Sequence, residues 1–204
     1  MNVIFDIGRV LIDFDWDGFV GRYLEPEAAA EVTEAMWHNP DWIEFDRGVL
    51  TDEQVLKLFI AKAPWREREI RLIFSRLGEI PRKREGAIPL IEQLKSEGHR
   101  VFFLSNYFEY LMHVAPEPLD FLSHMEGGVF SCFEHLVKPD REIFQLICER
   151  YSLVPAECVF IDDTEKNVRA AESLGMKGVH FKNMELDELY TIISHFQELE
   201  KGQR

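Results

Sequence analysis

The sequence predicts an α/β fold: a doubly wound parallel sheet with an all-helical segment inserted after its first strand. Three observations carry this. Short, almost continuously apolar runs, rich in β-branched and aromatic residues, recur along the chain and each stops at a polar residue. Amphipathic helical stretches separate them. One long interval, residues 16–84, has helical periodicity and no convincing strand. Runs that are apolar at every position read as strands covered on both faces, as in a parallel sheet.

The elements follow in order. Val3-Ile4-Phe5 is the first strand and ends at Asp6. Within the insert, helical periodicity runs from Ala28 to Trp37, Asp52 to Ala63 and Arg66 to Leu77, and Thr51 with Gln54 three positions on forms a capping box. Ile88 to Lys95 is helical and precedes Gly98, and the next strand, Val101 to Leu104, ends at Ser105. A helix from Ile143 to Tyr151 leads to the strand Val159-Phe160-Ile161, which ends at Asp162. Val168 to Leu174 is helical and stops at Gly175, a residue that tolerates the left-handed turn closing a helix. Val179 and Phe181, followed by an amphipathic stretch from Leu186 to Leu199, complete the alternation. The expected division is therefore an α/β body of residues 1–15 and 85–204 and a helical insert of residues 16–84.

Charge and composition narrow the function. Against 23 Lys and Arg stand 37 Asp and Glu, a net charge of −14, which argues against a nucleic-acid partner because such surfaces need clustered cations. A chain 46% apolar and 29% charged has the makings of a packed core. No apolar stretch approaches the ~20 residues that span a bilayer, and the first residues lack a signal-peptide pattern, so a cytoplasmic protein without membrane contact, monomer or homodimer, is expected. Cys132, Cys148 and Cys158 are odd in number and form no C-x-x-C pair, hence neither a disulfide framework nor a thiolate zinc site.

In doubly wound sheets ligands bind beyond the carboxyl ends of the strands, so Asp6, Ser105 and the pair Asp162-Asp163 are expected to meet at one edge. Clustered carboxylates repel one another unless cations intervene. Lys138 offers one charge, and a hard divalent ion with oxygen ligands, Mg²⁺, suits the rest.

Read in order, Phe5-Asp6-Ile7-Gly8-Arg9-Val10-Leu11, Leu104-Ser105-Asn106, Lys138-Pro139-Asp140 and Ile161-Asp162-Asp163-Thr164 onward to Ala171 resemble the four motifs of the haloacid dehalogenase-like (HAD) hydrolase superfamily. The insert resembles the helical cap that this superfamily places between its first two motifs, on a Rossmann-like core. The resemblance implies an aspartyl-phosphate mechanism with Asp6 as nucleophile. Ser105, Asn106 and Lys138 would bind the phosphoryl group; Asp6, the Gly8 carbonyl and Asp162 would ligate Mg²⁺; Asp163 and Asn167 would support them from behind. Ser105 and Lys138 would share the catalytic work with Asp6.

One position departs from the family pattern. Most phosphatases of this superfamily carry, two residues after the nucleophile, an aspartate that protonates the leaving group; here that residue is Gly8. Proton transfer of that kind is worth about 10²–10⁴-fold. Asp13 and Asp15 are the nearest acids, read first as an N-cap or solvated turn and second as proton donors. The chain resembles the α-D-glucose-1-phosphate phosphatase-like branch, whose Asp-x-Gly-x-Val pattern it shares, which implies a small phosphorylated metabolite as substrate, with a sugar phosphate such as glucose 1-phosphate favoured because an anomeric oxygen departs readily. In the insert, Trp37, His38, Trp42, Phe45, Asp46 and Arg47 are candidates for a substrate wall, with Trp42, Phe45 and Arg47 foremost, although the aromatics are read first as the insert's own core. Two alternatives compete: a 2-haloacid dehalogenase, which needs neither metal nor acid, and a non-catalytic descendant that binds a phosphorylated ligand or a protein.

Overall fold

A computed structural model describes residues 1–202. In chain order the strands are β1 (Asn2–Phe5), β2 (Ile12–Phe14), β3 (Pro81–Lys83), β4 (Arg100–Ser105), β5 (Gly127–Phe130), β6 (Cys158–Asp162) and β7 (Lys177–His180). The helices are α1 (Trp16–Val20), α2 (Pro26–Ala35), α3 (Trp42–Arg47), α4 (Asp52–Lys62), α5 (Glu67–Phe74), α6 (Ala87–Ser96), α7 (Glu109–Val114), α8 (Ser131–Glu134), α9 (Arg141–Tyr151), α10 (Glu165–Ser173) and α11 (Leu186–Gly202). Short 3₁₀ turns join several of them. Among the described residues no helix is long and apolar enough to cross a membrane.

The main sheet is parallel throughout, in the order β5-β4-β1-β6-β7. Successive side chains of each strand point to opposite faces, and both faces are apolar. Val3, Phe5, Val101, Phe103, Val159 and Ile161 pack on one side with Ile91 and Leu94 of α6 and Leu189 and Ile193 of α11. Ile4, Phe102, Leu104 and Phe160 pack on the other with Ile143, Phe144 and Ile147 of α9. This is the doubly wound arrangement that the unbroken apolar runs predict. Because β4 and β6 flank β1, the chain crosses from one neighbour to the other at β1, and the ends of these three strands open on one crevice.

Between β2 and β3 the chain is helical, and its apolar residues, among them Trp16, Phe19, Val32, Phe59 and Ile73, join the core on the α6 side of the sheet. The two ends of this excursion pair as an antiparallel ribbon, Ile12 to Phe14 against Pro81 to Lys83. The sequence reading contained no strand there, because three residues are too few to establish an alternation. The edge strand β5 was likewise not foreseen. Its Gly127-Gly128 has weak strand propensity, and Gly128 is required by crowding, since a Cβ there would lie 2.3 Å from the Phe103 carbonyl oxygen.

Candidate active site

Three strand ends supply the polar centre. Asp6 directly follows β1, and its N–H donates to the Ile161 carbonyl of β6 at 2.8 Å, which carries the sheet pairing up to the acid itself. Asp162 is the last residue of β6 and Ser105 the last of β4; both are buried. Lys138, 1% exposed, reaches in from the loop before α9, and its Nζ lies 2.9 Å from Asp6 Oδ1 and 2.6 Å from Asp162 Oδ2. Asp6, Asp162 and Asp163 each offer a carboxylate oxygen within 4.8 Å of the others.

Each group is braced. Asp6 Oδ1 also accepts the N–H of Ile7 at 2.7 Å. Asp162 accepts from the Thr164 N–H at 2.8 Å and from Asn167 Nδ2 at 3.1 Å to both oxygens. Asp163 accepts from the Thr164 hydroxyl at 3.1 Å and faces the Arg9 guanidinium at 3.5 Å. The Asn106 side chain clasps the Lys138 backbone, donating to its carbonyl at 3.0 Å and accepting its N–H at 2.8 Å. Asn106, expected on a phosphoryl group, lines the cavity over this centre, and its amide fixes the lysine that faces the acids. Ser105 Oγ is buried with no hydrogen-bond partner among the described residues, as is Asn167 Oδ1.

The electrostatics follow from this crowding. Burial pushes the Asp6 carboxyl above its ordinary range; the Lys138 ammonium opposes that shift and the Asp162 charge adds to it. Burial and Asp162 likewise raise Asp163, partly offset by Arg9. Burial works against the charge on Lys138, but Asp162 and Asp6 outweigh it and hold the ammonium above its usual range. Three carboxylates against one buried ammonium leave an excess of negative charge on an all-oxygen donor set, which fits a hard divalent cation such as Mg²⁺.

A cavity of about 380 Å³ lies over this centre. Asp6, Gly8, Lys138 and Asp163 line its floor, and Phe14, Trp37, Pro40, Trp42, Ile43 and Phe108 give it aromatic and apolar walls. Of the wall residues expected from sequence, Trp37, Trp42 and Asp46 are in place. Phe45 is not: it is buried against Phe108, ring centroids 4.1 Å apart, and against Phe74. Arg47 also misses the cavity, because its guanidinium pairs with Glu44 and Asp140 and donates to the His135 carbonyl. Asp13 pairs with Arg84 at 2.7 Å outside the cavity, and Asp15 caps α1 by accepting the Gly18 N–H at 2.9 Å, the capping role read for it first. Sequence reasoning gave no part to Tyr107 and placed Asp46 only among the wall candidates; both are buried in this cavity. Tyr107 lies just past the Leu104-Ser105-Asn106 motif, two residues after β4, but nothing local marks its burial or that of Asp46.

A family model described as haloacid dehalogenase-like hydrolase matches residues 3–175. Over 186 residues the chain is 31% identical to acyl-CoA dehydrogenase family member 10 of Mus musculus, a match covering 85% of this chain but only 17% of the mouse protein. It is 26% identical to a sesquiterpene phosphatase of Aspergillus oryzae, with 91% of this chain and 94% of that protein covered. Among solved structures, a HAD family enzyme of Bacteroides thetaiotaomicron in complex with magnesium and inorganic phosphate superposes with a TM-score of 0.70 at 20% identity, covering 90% of this chain and 95% of that one.

Proposed function

Because the chain belongs to the haloacid dehalogenase-like hydrolase family, we propose that it is a Mg²⁺-dependent phosphatase that hydrolyses a small phosphate monoester through an aspartyl-phosphate intermediate. The observation that carries this reading is the Asp6–Lys138–Asp162 cluster with the partnerless Ser105 hydroxyl at the same sheet edge. Asp6 is the nucleophile: its free oxygen attacks phosphorus while Lys138 and the Ile7 N–H hold the other. Lys138 also offsets charge on the phosphoryl group, and Ser105 Oγ donates to one of its oxygens, which gives that orphaned hydroxyl a partner. Asp6, Asp162 and the Gly8 carbonyl hold the metal, with Asp163 beside them and Asn167 fixing Asp162. When bound, Mg²⁺ supplies positive charge to the phosphoryl oxygens. Residues 16–84 act as a cap that excludes water from the reacting centre.

An aromatic wall that includes Trp37 and Trp42 suits the C–H side of a sugar ring, consistent with a sugar phosphate such as glucose 1-phosphate. The mostly apolar walls favour a second reading, an apolar ester such as an isoprenoid phosphate, in keeping with the name of the Aspergillus oryzae relative. A phosphate-release screen over sugar phosphates, nucleotides, phospho-acids and isoprenoid phosphates, with and without Mg²⁺, tests both. Turnover should require the metal and disappear in Asp6→Asn. Activity retained in that variant, or chloride release from 2-chloropropionate that EDTA leaves untouched, would overturn the phosphatase reading.

A further inference from the structure

The proposed reaction lacks a proton donor. A phosphate ester of an ordinary alcohol leaves as an alkoxide, and position 8 carries no side chain to protonate it. The space is open: a Cβ on Gly8 would meet nothing within 4 Å. Asp13 and Asp15 are engaged elsewhere.

Asp46 lines the same cavity as Asp6 and Gly8, from α3 of the insert. It is only 9% exposed, yet no hydrogen bond or ion pair engages its carboxyl among the described residues. A buried carboxyl without partners is costly, and folds retain one where it has a task. Its position is fixed through the backbone. The Ser131 hydroxyl donates to the Asp46 carbonyl at 2.6 Å and accepts the Tyr107 N–H at 2.9 Å, which ties α3 to the loop following β4. On either side of Asp46, Phe45 stacks on Phe108 and Arg47 pairs with Asp140.

We propose that Asp46 is the general acid and base of this site, delivered from the insert in place of a side chain at position 8. The inference rests on the phosphatase reading above. In the first step an Asp6 oxygen forms a bond to phosphorus as the ester P–O bond breaks, and the Asp46 carboxyl gives its proton to the departing oxygen. In the second, the Asp46 carboxylate takes a proton from the water that attacks the aspartyl phosphate, and the P–O bond to Asp6 breaks to return the free carboxylate. One water is consumed and both side chains end as they began. Burial, with the Asp6 charge adding to it and Lys138 opposing it, pushes the Asp46 carboxyl up to about 8, so it carries its proton at neutral pH. Tyr107 is the rival donor in the cavity. Its hydroxyl is also buried without a partner, but burial pushes the phenol further above its ordinary value, away from the range useful to an acid at neutral pH.

The test compares kcat/KM of wild type and Asp46→Asn, in excess Mg²⁺, on a simple alkyl phosphate and on 4-nitrophenyl phosphate, whose leaving group departs without a proton. Asp46→Asn should lose about 10²–10⁴-fold on the alkyl ester and less than about tenfold on the aryl ester. The aryl activity also reports that the variant is folded. Equal losses on both esters, or no loss on the alkyl ester, would overturn the assignment while leaving the phosphatase reading intact. A wild-type enzyme inactive on every phosphate ester would instead overturn the phosphatase reading.

Discussion

Asp46 and Asp162 are both buried acids near one cavity, and their surroundings set them apart. Asp162 accepts hydrogen bonds from Lys138, Thr164 and Asn167, whereas Asp46 has no such partners among the described residues. The difference has a consequence for stability. The Asp46 carboxyl titrates near 3.8 when unfolded and near 8 when folded, so between those values the folded chain holds one more proton and stability falls as pH rises. Asp46→Asn removes this penalty. Measured in EDTA, its melting temperature should gain on wild type between pH 5 and pH 8 by about 1 kcal/mol per pH unit, or roughly 2–4 °C; a constant difference across that range would contradict the buried, unpaired carboxyl. Asp6 and Asp162 were legible in the sequence because each ends an apolar strand. Asp46 was visible as one member of an aromatic-rich segment, but among 37 acids nothing local marks it as buried.

Of the elements, α3 matters most to the cavity and is least able to stand alone. Six residues are too few to be helical without tertiary support. Gly48 ends it with φ of +69°, and a Cβ there would lie 2.4 Å from the Cys132 carbonyl oxygen of α8. Both the left-handed turn and the close approach demand glycine. Gly48→Ala should therefore destabilise the fold by about 1–3 kcal/mol in denaturant titration. It should also lower activity on alkyl phosphates, because α3 carries Asp46. An unchanged midpoint would mean that α3 and α8 separate easily. The longer helices α4, α6, α9 and α10 were legible from periodicity and terminal residues, and Thr51 does form its capping box with Gln54. The ribbon β2–β3 and the strand β5 were not, since their partners lie far off in sequence: Ile12 pairs with Lys83, and Phe102 with Gly127.

For the whole molecule, the sheet order brings positions 6, 105, 138 and 162 to one crevice, and the charge gathered there is mostly negative. A cation bound only by the folded chain stabilises it by mass action, about 2.7 kcal/mol at a hundred times the dissociation constant. Mg²⁺ should raise the melting temperature by roughly 5–10 °C, and the shift should vanish in Asp162→Asn. An equal shift in that variant would place the ion elsewhere. By itself the sequence determined the α/β class, the parallel strands, the polar residues at their ends and the motif order, because apolar periodicity and strand-end chemistry are local properties of neighbouring residues. Only the tertiary structure decided that Phe45 and Arg47 leave the cavity wall and that Asp46 is buried there without a partner. Burial and pairing arise between distant residues, as where the Ser131 hydroxyl meets the Asp46 carbonyl across 85 positions of chain.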